Sequence, residues 1–496
     1  MSNNAISGRL TGFNPALIKN DYARFIGYVL RHSAALNTVA GLKTWRVLVF
    51  FLLHIPLAFL MRSMPSVATV HAFGTLLVGF WCATFDRRKE RVTYIAAYII
   101  GSEVLWRMNE SQAFWELGKY GTAAILILAM LRNGRFKVPL LPLLYFALLI
   151  PSIYLTAQGA NFEKVRRHLS FNLSGPFALM VCCLYFSKQV FTTKQLHRLF
   201  IASVGPILGI AFLALGHAFT ESSIRFTHGS NPAMSGGYGP NQVSSVLGLG
   251  GLLAFFLTLG SKLRPGVRIL MLLCSAFLFA QSVATFSRSG PYLGISCILL
   301  ASFYLLRDRI SRKKLLIGIG ALAIAAVFVI PRLNTFSGGA LAERYEEAST
   351  TNRDLIALAD LQIWMSNPVF GVGPGGAFAL HALTFRKQAA HTEYTRLVAE
   401  HGAFGLVAMV LLLVIPLRNL RRARTPLGKA LVASMAGWAL LFMLINAMRL
   451  AAPAFCLGLT CATFLSQEQI SLAIKQKLIN LIGRKRRGMA FLANRG

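Results

Sequence analysis

Residues 290–331 read GPYLGISCILLASFYLLRDRISRKKLLIGIGALAIAAVFVIP, two apolar runs (290–306 and 314–331) separated by the basic octet RDRISRKK at 307–314. As helices, apolar runs of about 17–21 residues cross a hydrocarbon core of about 30 Å. The same grammar recurs along all 496 residues, of which 55% are hydrophobic and only 14% charged. Soluble chains carry about 25% charge. The expected fold class is therefore an all-α polytopic membrane protein. A membrane β-barrel would instead show alternating segments of about ten residues.

Working outward, fourteen candidate spans emerge: 47–61, 66–85, 92–106, 118–131, 138–157, 169–187, 199–219, 241–260, 267–286, 290–306, 314–331, 404–417, 427–445 and 450–466. Four are short or weak, so the expected count is twelve to fourteen. Every alternate loop is basic: DRRKER (86–91), RNGRFK (132–137), KQVFTTKQLHR (188–198), SKLRPGVR (261–268), RDRISRKK and RNLRRAR (418–424). Basic loops are retained in the cytoplasm, so both termini are expected inside a bacterial inner membrane. The predicted organisation is a basic cytoplasmic N-terminus (1–46), helices one to eleven (47–331), a large, partly helical periplasmic loop (332–403), helices twelve to fourteen (404–466) and a basic tail (467–496).

The N-terminal segment carries Arg9, Lys19, Arg24, Arg31, Lys43 and Arg46 against Asp21, and its apolar residues between Ala16 and Leu30 recur at helical spacing. This predicts an amphipathic helix on the inner membrane surface. The first apolar run starts near Val47, so no cleavable signal peptide is expected. The net charge of +34 sits in loops that face anionic lipid, which makes membrane lipid the expected partner and not nucleic acid. All seven cysteines fall inside apolar runs without metal-ligand spacing, so neither disulfides nor a metal centre is expected.

Four less basic segments fall on the predicted outer face: 158–168, 220–240, the SRSG junction at 287–290, and 332–403, with Arg449 at an outer helix end. In the long loop, Thr351-Asn352-Arg353-Asp354 has capping-box spacing, which predicts a helix from about Asn352 to Ser366, stopped by Pro368. GVGPGG (371–376) lacks the GK[ST] of a nucleotide loop. It predicts tight turns that bring the backbone close to something. His391 precedes TEYTRLVAEHG and is expected in the first turn of a helix with Gly402 near its end. There the helix dipole disfavours a second positive charge, leaving the imidazole neutral and able to act as a base. A lone loop histidine is more often a plain polar residue; His401, at the other end of that helix, is read as structural, and His381 and His228 as unremarkable alone. Arg288, with a span starting two residues later, is expected to point into a cavity. Arg225 lies in the outer 220–240 segment. Guanidinium groups converging there suit a phosphate or diphosphate, whereas Arg166 and Arg167 read as interfacial arginines beside lipid headgroups. Glu393 and Glu400 are read as solvated or helix-pairing residues.

In order, Arg225 followed by GPNQ, the SRSG junction, R-D-L…W…NP-x-F-G-V-G-P-G and HTEYTRLVAEHGAFGL resemble the O-antigen ligase and polymerase superfamily of bacterial cell-envelope glycosyltransferases. The resemblance covers roughly 220–420 and is most specific in its last motif, where Thr392 stands in place of the family's usual Asn or Ser. It implies a GT-C-like fold and a glycan donor carried on undecaprenyl diphosphate, with no metal, no nucleotide sugar and no cofactor. The family's histidine maps onto His391 and its two arginines onto Arg225 and Arg288. Glu400, Arg396 and Arg449 are candidate supporting residues. The acceptor is either another lipid-linked repeat (polymerase) or a lipid or other acceptor (ligase). A different class, a flippase for lipid-linked glycans, would place ionisable groups in paired repeats near the midplane. Here Glu103 is the main charge in the predicted membrane interior.

Overall fold

The computed structural model describes residues 43–465, apart from 89, 133, 135–138, 159–160, 222–223, 227–228, 261–262, 348–352 and 385–390. The predicted amphipathic helix at 16–30, the basic tail, His228 and the cap residues Thr351 and Asn352 lie outside the described residues. The chain's described residues divide into a large unit (43–189 and 194–463) and a small one (190–193 and 464–465).

The helices run in order as α1 (Thr44–Ser63), α2 (Pro65–Thr84), α3 (Arg91–Met108), α4 (Leu117–Arg132), α5 (Leu140–Ala147), α6 (Ile153–Ala157), α7 (Phe162–Phe186), α8 (Thr193–Thr220) and α9 (Pro240–Thr258). They continue as α10 (Pro265–Ala284), α11 (Ser289–Leu305), α12 (Arg309–Phe336), α13 (Ala340–Glu346), α14 (Arg353–Ser366), α15 (Gly376–Thr384), α16 (Glu393–Arg422), α17 (Pro426–Asn446) and α18 (Ala451–Leu459). The only strands among the described residues, β1 (Val190–Thr192) and β2 (Thr463–Leu465), form a two-stranded sheet. In the small unit the Phe191 and Phe464 rings stack at 6.4 Å.

Among the described residues nine helices are long and apolar enough to cross a membrane: α1, α2, α7, α8, α9, α10, α12, α16 and α17. This is the architecture of an all-α, multi-pass membrane protein. The other five predicted spans correspond to shorter or more polar helices: α3, α4, α11, α18, and the pair α5 and α6. The run at 138–157 divides because Pro151 cannot donate to a helical ladder and Ser152 turns its hydroxyl to His401 Nδ1 at 2.5 Å.

Burial sorts the spans. In α9, 89% of the apolar window is buried inside the protein, whereas in α12 the share is 11%. The first is a central core helix against α10 and α11. The second presents its Leu, Ile, Val and Phe side chains outward, as a lipid-facing helix does. Two basic loops meet where Arg132 Nη1 donates to Asp86 O at 2.7 Å, and Lys314 Nζ donates to Leu259 O at the end of α9 at 3.5 Å.

Candidate functional site

α16 begins at Glu393, two residues later than the sequence implies. Thr392 is its N-cap, accepting from Tyr394 N at 3.3 Å, so His391 precedes the helix and does not sit in its first turn. Its neutrality has another origin than the helix dipole. Burial is the largest cause, followed by the guanidinium groups of Arg449 and Arg353, and together they lower its pKa to about 4. The imidazole is a neutral, half-buried base at pH 7.

Arg353 opens α14, where capping-box grammar had accounted for it. It is half-buried, and the charges it meets are Arg344 and Arg288, which with burial hold its pKa below the usual arginine range. Arg288 Nη1 donates to the Glu347 carbonyl, and the Glu347 carboxylate pairs with Arg344 at 3.2 Å. Arg344 Nε also donates to Phe286 O at 3.3 Å. Arg449 from the turn before α18 and Arg353 from α14 thus act on His391, and Arg344 from α13 and Arg288 from the junction before α11 act in turn on Arg353. Asn241 of the GPNQ motif buttresses Arg288 from both sides, its side-chain oxygen accepting from Ser287 Oγ at 2.7 Å and its carbonyl from Ser289 Oγ at 3.1 Å. Arg225 is tied by backbone to the end of α10, where Asn231 Nδ2 donates to its carbonyl at 3.2 Å and Asn231 N to Thr285 O at 3.0 Å. Its side chain is exposed, and among the described residues no contact joins it to His391.

Arg449 is held by its neighbours' backbone. Met448 N donates to Glu393 Oε2 at 3.1 Å, Ala451 N to Glu103 Oε2 at 2.7 Å, and the Arg449 carbonyl accepts from Arg107 Nη1 at 3.2 Å. Ala447 enters this turn with φ 49° and ψ −166°, a conformation that side chains disfavour. Glu103 is therefore not isolated in the interior: it pairs with Arg107 at 2.6 Å and anchors the Arg449 turn.

Glu393 and Glu400 are corrected in their environment. Neither is solvated, being 0% and 2% exposed. Both grip Arg396, Glu393 Oε2 at 3.2 Å and Glu400 Oε2 at 2.6 Å, so the helix-pairing part of the expectation holds. Glu400 Oε1 also accepts from Gly375 N at 2.8 Å. What GVGPGG approaches is thereby visible: the end of α16's first segment. Val372 N donates to Ala399 O at 3.0 Å, and Gly373 N to Glu400 O at 2.9 Å. At Gly402 the helix breaks with φ 60° and ψ −135°. A Cβ there would lie 2.5 Å from the Val369 carbonyl, so glycine is required on both counts. His381 is also more than a plain polar residue, because its Nε2 meets buried Asp360 at 2.9 Å. Asp360 in turn accepts from Thr395 Oγ1 at 2.7 Å, tying α14 and α15 to α16.

Next to the Arg449 turn lies a cavity of about 550 Å³, lined by Trp115, Phe378, Arg396, Glu393, Glu400 and Arg449 among others, with Arg166 and Arg167 at its edge. Among the described residues no group of three or more His, Cys, Asp or Glu is placed to hold a metal ion. No protein-family model matches the chain, and no curated protein matches it.

Proposed function

We propose that the chain is a glycosyltransferase of the O-antigen ligase and polymerase type. It transfers a glycan from a polyprenyl-diphosphate donor, undecaprenyl diphosphate in a bacterial inner membrane, to an acceptor hydroxyl at the outer, periplasmic face of a GT-C-like helical assembly. The observation that carries this reading is a neutral His391 facing Arg449 and Arg353, with Arg288 and Arg344 next in line.

The chemistry balances with these groups. The acceptor oxygen attacks the anomeric carbon, forming the new C–O bond as the bond from that carbon to the phosphate oxygen breaks. The acceptor proton passes to His391, which can accept it because the imidazole is unprotonated at neutral pH. The departing lipid diphosphate takes the electron pair, and its growing negative charge falls where Arg288, Arg353 and Arg449 concentrate positive charge. Burial, with Arg449 and Arg353, holds His391 neutral until the diphosphate arrives, so two of these charges serve both the base and the leaving group. Arg225, at the exposed rim, meets the donor before it is seated.

The test is transfer in proteoliposomes containing an undecaprenyl-diphosphate-linked oligosaccharide. His391→Ala is expected to lower turnover by about 10²–10⁴-fold while the protein still inserts and melts as the native chain does. Wild-type turnover by His391→Ala would sink the mechanism. Laddered lipid-linked products identify a polymerase, and label on a different acceptor identifies a ligase. Movement of intact lipid-linked glycan across the bilayer without transfer would identify a flippase instead.

A further inference from the structure

We propose that the cavity beside Arg449 is a carbohydrate subsite that holds a pyranose ring of a transferred or accepting glycan against Trp115 and Phe378. The inference rests on the glycosyl-transfer reading for its role, but the binding it predicts is measurable without any transfer.

Its volume of about 550 Å³ falls within the roughly 300–1,000 Å³ of small-molecule sites. Aromatic side chains from three separate elements meet there: Trp115 from the turn before α4, Phe171 from α7 and Phe378 from α15. Arg107 covers one face of the Trp115 ring at 4.3 Å, yet the side chain remains 46% exposed, which leaves ring surface for a ligand. Phe378 is 40% exposed. Open aromatic faces suit the apolar C–H faces of a sugar ring, whose hydroxyls point outward from its edge.

The charges differ from those around His391. Arg396 is bracketed by Glu393 and Glu400, and Arg166 at the rim is paired with Glu163 at 2.8 Å. Four arginines of the lining (Arg166, Arg167, Arg396, Arg449) face three glutamates (Glu116, Glu393, Glu400), close to balance. Such a lining supplies fixed hydrogen-bond donors and acceptors without a strong field. It suits a polyol better than a phosphate. Arg449 belongs to both regions, lining the cavity and facing His391. A glycan seated in the cavity therefore ends at the base, with the diphosphate held on the far side by Arg353 and Arg288.

The experiment is saturation-transfer NMR on the full chain in nanodiscs, with lactose and N,N′-diacetylchitobiose as probes. Saturation is expected on ring C–H protons and is expected to fall about tenfold in Trp115→Ala and in Phe378→Ala, as for truncated aromatic hot spots. Phe378→Tyr, which keeps the ring, retains it. Inorganic pyrophosphate leaves the saccharide signal in place. Absence of saturation for both probes, an undiminished signal in folded Trp115→Ala and Phe378→Ala, or displacement by pyrophosphate overturns the proposal. In the transfer assay, a raised KM for acceptor alone assigns the cavity to the acceptor glycan, and a raised KM for donor alone assigns it to the donor. If saccharide binds but no transfer occurs, the subsite stands and the glycosyl-transfer reading fails.

Discussion

Arg396 and Arg353 both act on Arg449, yet the two hold charge in opposite ways. Arg396 is 4% exposed, with a carboxylate one helical turn away on either side. Its single charge is answered twice from within the fold. Arg353 meets Arg344 and Arg288, and His391 meets Arg353 and Arg449. There like charges gather, and the carboxylates in reach are Glu347 on Arg344 and Glu393 acting on Arg449. A buried charge with its partners is scaffold, because removing either side strands the other. A cluster of like charges destabilises the empty protein and is retained where an anion occupies it.

The contrast breaks if the two arginines respond alike to truncation. Arg396→Ala is expected to strand Glu393 and Glu400, costing about 3–5 kcal/mol, and to appear as loss of folded protein or a much lowered melting temperature. Arg353→Ala removes a like-charge neighbour. Its free energy of unfolding is expected to stay within about 0.5 kcal/mol of the native value, while on the proposed mechanism transfer falls by about 10²–10³-fold, as for preorganised charge-stabilising groups. A destabilised Arg353→Ala with undiminished transfer would reverse the two roles.

A pH profile sharpens the same comparison with a smaller effect. The pKa of His391 is lowered from 6.5 to about 4, so the free protein keeps its base unprotonated as the pH falls through 6.5. The acid limb of kcat/KM is expected near pH 4, with activity dropping below it as the imidazole gains its proton. Bound diphosphate opposes the field of Arg449 and Arg353 and raises the His391 pKa, so the acid limb of kcat lies at higher pH than that of kcat/KM. Arg353→Ala removes one of the lowering charges and moves the kcat/KM limb upward. A limb at pH 6.5 that ignores Arg353 would mean that His391 does not feel the cluster.

The helices and their basic loops are legible in the sequence because span length and loop charge are local properties. The residues of the candidate site are legible only where a motif names them, as at His391 and Arg288. Arg353 is hidden because Thr351-Asn352-Arg353-Asp354 is fully accounted for as a helix start, and nothing local reports that Arg288, 65 positions earlier, lies beside it. Glu393, Arg396 and Glu400 have the same spacing whether a helix faces water or a core, so their burial depends on α7 and the 447–451 turn packing over them. GVGPGG is legible as a close approach, while its target is set by Gly402 opening α16 to receive it. Glu103 stands out as a charge in an apolar span, but its partner backbone at Ala451 is far along the chain.

The smallest effect tests how tightly Arg449 must be held. Ala447 takes φ 49° and ψ −166°, a region populated almost only by glycine and costing other residues about 1–3 kcal/mol. The turn keeps this conformation because Glu393 fixes Met448 N, Glu103 fixes Ala451 N and Arg107 fixes the Arg449 carbonyl. Ala447→Gly relieves the strain at the cost of a freer unfolded chain, so stability is expected to rise by about 1 kcal/mol or less. The same substitution lets the turn sample other conformations, and transfer is expected to fall a few-fold, with kcat affected more than KM, because on the proposed mechanism Arg449 acts on the charge that develops as the diphosphate leaves. Both are read from one preparation, by thermal unfolding and by initial rates. If Ala447→Gly were less stable and equally active, the conformation would be relaxed and the three buried charges would be holding the turn for packing alone.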